Sequence, residues 1–316
     1  MLGMLRSTAL LLAGLLLFAP LPAAAQTEPT ETLHVGVIPA EISGCLFYGI
    51  DKGYFKSKGL NIDVQLFTNG GAIAAGIASG ALDIGITDMV SIVTAHARGL
   101  PLVYIAPGLL HGEKAPTFGI IVAKDSPIKT PADFNGKTMA VNGLKNVSQL
   151  GMMTWVDNNG GDSKTIKFIE MPFPAMPAAI AQGTITGGLP PEPALSAAEN
   201  SGDRVIAMDR KAVAPIYLLS GFIASRAWAT AHSDTVKKFG AAVREAALWA
   251  NKNHDESAPI LASYTKIPLP VIRGMRRGDY ATEFNAGQIQ PMIDAAAKYG
   301  FIDKAFPMSE IVYTPK

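Results

Sequence analysis

The sequence predicts an α/β protein of two lobes, each a mainly parallel sheet flanked by helices, with a ligand cleft between them. Three observations carry that expectation. Short alternating apolar runs bounded by Gly, Pro or polar residues trade places with helical stretches, the rhythm begins again after residue 124, and the last third turns almost wholly helical. Strand and helix in alternation build a parallel sheet, because each crossover helix has to cover one of its faces.

At the N-terminus Arg6 precedes the apolar run 9–19, followed by Pro20, Pro22 and Ala23-Ala24-Ala25. Charge, apolar stretch and small residues in that order predict a cleaved secretory leader over 1–25. A membrane anchor is the competing reading, but the run falls short of the roughly 20 apolar residues that span a hydrocarbon core. No cysteine stands at the cleavage point, so a lipid anchor is not expected. The mature chain is therefore expected to be soluble in the periplasm, with residues 26–32 as a polar linker.

The first lobe is expected over 33–123. Strand-like alternation occupies Leu33-His34-Val35-Gly36-Val37 and Ile62-Asp63-Val64-Gln65-Leu66, then 82–86 and 102–106. Helical stretches at 45–52, 72–79 and 89–98 each run into a glycine, Gly53, Gly80 and Gly99, where a left-handed cap is expected. The second lobe is expected over 124–217, opening with Thr130-Pro131-Ala132-Asp133 as a helix start. Its strands fall at 138–141, 165–171, 185–189 and 204–208, and its helices at 148–158, 174–182 and 194–200. Residues 218–316 are expected to return to the first lobe, with crossings near 122–125 and 217–222. Val236, Phe239, Val243, Ala246, Ala247 and Ala250 recur at three- and four-residue steps and make one buried stripe. A second such helix covers 289–299 and ends at Gly300.

Losing Arg6 with the leader brings the 27 basic residues of the whole chain level with its 26 acidic ones. A neutral chain whose longest basic block is Arg276-Arg277 is not expected to bind nucleic acid, which needs clustered positive charge. Cys45 is the single cysteine, so no intramolecular disulfide is possible and the thiol reads as packing. The five histidines stand apart, without a second ligand at metal spacing, and no metal or cofactor is expected. Nucleophile elbow, phosphate loop and dinucleotide fingerprint motifs are all missing from the sequence, so no catalytic residues are expected.

Several strand ends lead through polar or glycine-rich turns directly into helices. Asn69-Gly70-Gly71 follows one strand, and 142–148 follows another. Helix starts carry unpaired N–H groups and a partial positive charge of about half an elementary unit, so two facing starts could hold an anionic group. Gly70-Gly71 could equally be a tight connection. His111 follows a strand and the Pro107-Gly108 turn, near where open α/β sheets bind ligands.

Gly53-Tyr54-Phe55-Lys56 with Lys58-Gly59-Leu60, then 77–85 with Ser79-Gly80-Ala81-Leu82-Asp83, then Arg98-Gly99-Leu100-Pro101, resemble the conserved blocks of the nitrate, sulfonate, taurine and thiamine-precursor binding proteins. Lys124-Asp125-Ser126, 133–137 and Ser225-Arg226-Ala227-Trp228 continue the resemblance across the mature chain. It implies a type II periplasmic binding fold that closes on a small-molecule ligand and works with the membrane permease and ATPase of an ABC importer. The protein is expected to be a monomer. Where many members carry an acidic residue after Gly183, this chain has Thr184-Ile185-Thr186-Gly187-Gly188, although Glu192-Pro193 is kept.

Order along the chain then suggests ligand contacts from Glu41 and Ser43, from Asn69, Gly70 and Gly71, and from Asp88 and Met89. Asn142, Val147, Ser148 and Glu192 are expected from the second lobe, with Phe47 and His111 as walls suited to an organic ligand. Asp88 and Glu192 could instead be structural caps. If both faced the ligand they would favour a donor such as an amine beside any anionic group, because buried unpaired carboxylates are costly. The expected role is capture of a sulfonate, a taurine-like zwitterion, a nitrogenous base or an aromatic acid. A pyrimidine-forming enzyme on the same scaffold is the alternative, although the cysteine-rich segment that chemistry uses in the family is missing here. A receptor's sensory module is a third reading, for which the chain ending at Lys316 leaves no signalling segment.

Overall fold

The computed structural model describes residues 31–112, 117–206 and 213–315. The expected leader and most of the linker lie outside these residues. β1 already begins at Glu31, inside the expected linker, because Glu31 and Thr32 pair with Leu60 and Asn61.

The first lobe runs β1 (Glu31–Val37), α1 (Gly44–Asp51), β2 (Leu60–Leu66), α2 (Gly70–Ser79), β3 (Ile84–Asp88), α3 (Met89–Ala97) and β4 (Leu102–Pro107). β5 (Leu110–Gly112) leads out to the second lobe, which holds β6 (Ile120–Val122), β7 (Thr138–Val141), α4 (Val147–Asn158) and β8 (Lys167–Glu170), then α5 (Met176–Ala181), β9 (Gly187–Gly188), α6 (Ala194–Asn200) and β10 (Arg204–Ile206). The chain returns through β11 (Ile216–Leu218) and β12 (Ser220–Ser225) into α7 (Arg226–Ala231), α8 (Ser233–Ala250), α9 (His254–Thr265), α10 (Leu269–Gly274) and α11 (Ala286–Lys298).

Two five-stranded sheets result. The first has the order β2-β1-β3-β12-β4, with β1 parallel to β2 and β3, and β12 antiparallel to both its neighbours. The second has the order β10-β6-β9-β7-β8, with β7 parallel to β8 and β9. The returning strand thus completes the sheet that the first third of the chain started, so the first lobe needs both ends of the sequence. β5 and β11 pair with each other in an antiparallel ribbon between the two sheets.

The sequence placed residues up to 123 in the first lobe and the crossing at 122–125. β6 pairs with β9 and β10 in the second sheet, so the crossing precedes Ile120. Ile120, Ile121 and Val122 are buried on both faces, and a continuous apolar run lacks the alternation that reveals a strand. The helix expected from Thr130 is a single turn, Pro131–Phe134. The Asp133 carboxylate accepts from the N–H groups of Lys129 and Thr130, as an N-terminal signal should. Gly136, at φ +71°, then turns the chain out before a second turn can form.

Gly85 shows how sequence sets the packing of the first lobe. A Cβ there would lie 2.1 Å from Cγ2 of Ile73, so only glycine lets α2 rest on β3. The C-terminal helices close the lobe as expected, α8 against α1 and β4, α9 against α1, and α11 against α3. Phe239 in the α8 stripe meets Phe55 and Phe222, with ring centroids 5.2 Å apart in both cases. Full burial of such a ring stabilises the fold by about 1.5–3 kcal/mol. Among the described residues no helix is long and apolar enough to cross a membrane.

Candidate functional site

Three helices start at the seam, α2 and α3 from the first lobe and α4 from the second. Asparagine or aspartate caps each of them. Asn69 Oδ1 accepts from the Ala72 N–H at 2.9 Å, and Asn146 Oδ1 from the Gln149 N–H at 3.0 Å. Asp88 Oδ1 accepts from the N–H groups of Val90 and Ser91 at 3.1 and 3.0 Å, while Ser91 Oγ donates to Oδ2. The same Oδ1 also accepts from the Val147 N–H at 3.0 Å, on the first residue of α4. One carboxylate therefore caps helices from both lobes. Burial pushes the Asp88 carboxyl above the usual carboxylate range, and the bonds from Ser91, Val147 and Val90 pull it back.

Further bonds cross the seam. Asn142 Nδ2 donates to the Thr68 carbonyl at 3.2 Å, and its Oδ1 accepts from Asn146 Nδ2 at 2.8 Å. Lys145, in the left-handed region at φ +55°, reaches the Gly300 and Phe301 carbonyls at 3.4 and 3.5 Å. The Glu41 N–H donates to the Glu192 carbonyl at 3.1 Å.

Two adjacent arginines serve two buried carboxylates. Arg277 Nε donates to Glu41 Oε1 at 2.8 Å, and its Nη2 to Tyr48 Oη and Ser257 Oγ at 3.0 and 2.8 Å. Burial raises the Glu41 carboxyl to about 7 in spite of Arg277, and Oε2 of Glu41 is buried without a hydrogen-bond partner. Arg276 donates to Glu192 at 3.3 Å and to Glu199 at 3.1 Å. Glu192 also accepts from the Ser196 N–H and Oγ at 3.0 and 2.9 Å. Burial again raises its carboxyl above the ordinary value, against the pull of Ser196 and Arg276.

Three adjoining cavities run along this seam. A polar one of about 590 Å³ contains the starts of α2 and α4, with Arg98 and Lys145 on its walls. It shares Asp88, Asn142 and Asn146 with a neck of about 30 Å³, which Phe118, Phe173 and Leu219 narrow from the sides. The neck shares Ile38, Phe173 and Pro191 with a third, apolar chamber of about 210 Å³.

Of the residues expected at the ligand, Asn69, Gly70, Gly71, Asp88 and Asn142 line the polar cavity, while Val147 and Ser148 line the neck. Six others stand elsewhere. Phe47 is buried inside the first lobe, stacked on Tyr264 at 4.1 Å, because α8 and α9 pack against α1. Met89 turns into the core, and its N–H donates to Leu219. Ser43 Oγ is turned back to the Ile38 carbonyl at 2.6 Å. His111 lies in the β5–β11 ribbon between Phe118 and Tyr217, with Nδ1 3.4 Å from Thr117 Oγ1. Glu41 and Glu192 face the two arginines and line none of these three cavities. Asp88 thus caps α3 and also lines the polar cavity, while Glu192 accepts from the Ser196 N–H of α6.

Sequence reasoning missed the apolar walls Ile38, Phe118, Phe173 and Pro191. It noticed Arg276-Arg277 only as a basic block. The available signal was two consecutive arginines in a neutral chain with buried carboxylates to satisfy, and proline on both sides of Phe173.

Two sheets joined by a paired crossing, with capped helix starts meeting at the seam, define a two-lobed protein of the type II periplasmic binding fold. A profile of the NMT1/THI5-like family matches residues 43–257, and the chain belongs to that family. A putative aliphatic sulfonates-binding protein of Escherichia coli is 28% identical over 274 residues, 83% of this chain and 80% of that one. The formylaminopyrimidine-binding protein of Halalkalibacterium halodurans is 26% identical over 162 residues; that match spans 51% of this chain and only 47% of the relative. Saccharomyces cerevisiae 4-amino-5-hydroxymethyl-2-methylpyrimidine phosphate synthases match over 83 residues at up to 35% identity, 26% of this chain and 23% of theirs. The alkanesulfonate-binding protein SsuA of Xanthomonas axonopodis pv. citri, solved with bound MOPS, superposes with a TM-score of 0.77 at 18% identity, covering 90% of this chain and 99% of that one. The curated relatives matched over most of the chain are binding proteins, whereas the enzyme matches span 26% of it.

Proposed function

We propose that the protein is the periplasmic solute-binding component of an ABC importer, capturing a small organic molecule with an anionic group by closing its lobes. The single observation behind this reading is that helix starts from opposite lobes, α2 and α4, open on one seam cavity, where Asp88 at the start of α3 also accepts from the first residue of α4. A ligand that accepts from both helix starts binds the closed form better than the open one, and that difference in affinity drives closure. Each start supplies a partial charge of about half an elementary unit, so a net-neutral chain can hold an anion by local donors. The closed shape is what a permease and its ATPase would read.

Isothermal titration of the purified protein against alkanesulfonates, taurine, aromatic carboxylates and pyrimidines tests the reading. At least one class should bind with one-to-one stoichiometry. A folded, monodisperse protein that binds none of them would sink it. Mass spectrometry of small molecules released on denaturing fresh protein would identify the natural ligand directly.

A further inference from the structure

We propose that the apolar chamber at the far end of the seam is a subsite for a ring-sized apolar body, which makes the ligand an anion carried on an aromatic or compact alicyclic group. The inference rests on the solute-binding reading above and specifies its substrate class. Both lobes build the chamber: Phe67 and Ile267 come from the first, and Pro172, Phe173, Pro191 and Pro193 from the second. Proline has no N–H to offer, the other three of these walls are hydrocarbon or π surface, and Thr68 and Thr265 complete the lining with hydroxyls. An apolar cavity of about 150 Å³ is enough to hold benzene, and this one measures about 210 Å³.

Its position gives the chamber a role. Ile38, Phe173 and Pro191 form a wall common to chamber and neck, and Asp88, Asn142 and Asn146 a wall common to neck and polar cavity. A molecule lying along that line would set its charged head by the helix starts, pass a short link between Phe118 and Phe173, and bury its body among the prolines. The neck, about 30 Å³, has room for little more than one water-sized group, so the link is short. A taurine-like zwitterion fits this line poorly. Glu170 on the wall of the polar cavity could face its ammonium, but with no apolar body to fill it the chamber would stay empty.

Titration of the mature protein with methanesulfonate, benzenesulfonate, acetate and benzoate tests the subsite. Within each pair the ring compound should bind at least about tenfold tighter, the change that about 1.4 kcal/mol produces. Ile267→Asp should remove that advantage while methanesulfonate affinity stays within about twofold, and circular dichroism verifies the fold. Phe67→Ala, at a half-buried position, should reduce the advantage without introducing charge. Equal affinity within each pair, or equal weakening of both members by the two substitutions, overturns the subsite and leaves the solute-binding reading standing. Failure of all four probes together with the wider panel overturns both.

Discussion

Glu41 is held by two opposed forces, burial that favours its neutral form and Arg277 2.8 Å away that favours its charge. Burial wins, and the carboxyl rises from 4.5 to about 7. The sign of the consequence follows from which state holds the proton longer. Between about 4.5 and 7 the unfolded chain releases it while the folded chain retains it, so stability falls as pH rises through that window and is level above it. Glu192 and Asp88, also raised by burial, push in the same direction. We expect Glu41→Gln to flatten the decline in urea-unfolding free energy between pH 4.5 and 7.5 by about 1–3 kcal/mol. An identical decline in wild type and variant would show that another group titrates. The sequence offered Glu41 and Phe47 as ligand contacts because they follow the first strand. Nothing local tells that Arg277, 236 positions away, takes the carboxylate, or that Tyr264 takes the ring.

Helix starts were the most legible elements, because a cap and the turn before it are local chemistry. Asn69 and Asp88 are cap residues by type and stand where strand patterns end, and both caps form. Gly70 owes its identity to tertiary contact, since a Cβ would lie 2.1 Å from Thr87 Oγ1. Gly70→Ala should displace the start of α2 and cost about 1–3 kcal/mol, read as a lowered denaturation midpoint. A midpoint unchanged from wild type would mean that α2 can shift freely. Asp88→Ala removes a cap from α3 and a bond to α4 together. It should cost about 1–2 kcal/mol in unfolding experiments, and a loss below about 0.5 kcal/mol would argue that water replaces the carboxylate. β6 and the single turn at Pro131 show the opposite case, where a buried apolar run hides a strand and a good helix signal is cut short by Gly136.

At the scale of the whole molecule, Arg276 and Arg277 divide their work between the lobes. Arg277 is fixed on Glu41 in the first lobe, and Arg276 reaches Glu192 and Glu199 in the second. Arg276→Ala should shift the ligand-free protein toward an open form by about 1 kcal/mol, roughly a fivefold change in population. Small-angle scattering would register this as a larger radius of gyration, and an unchanged radius would mean that the remaining seam bonds suffice. By itself the sequence determined the alternation of strand and helix, the two α/β units, the helical return and the capped helix starts, all of which arise from periodicity and neighbours a few residues apart. Only the tertiary structure decided which strand belongs to which sheet, which carboxylates meet arginine, and that prolines from distant segments enclose one chamber. Those features depend on contacts between residues far apart in the chain, and burial, which sets their energies, exists only once the lobes have met.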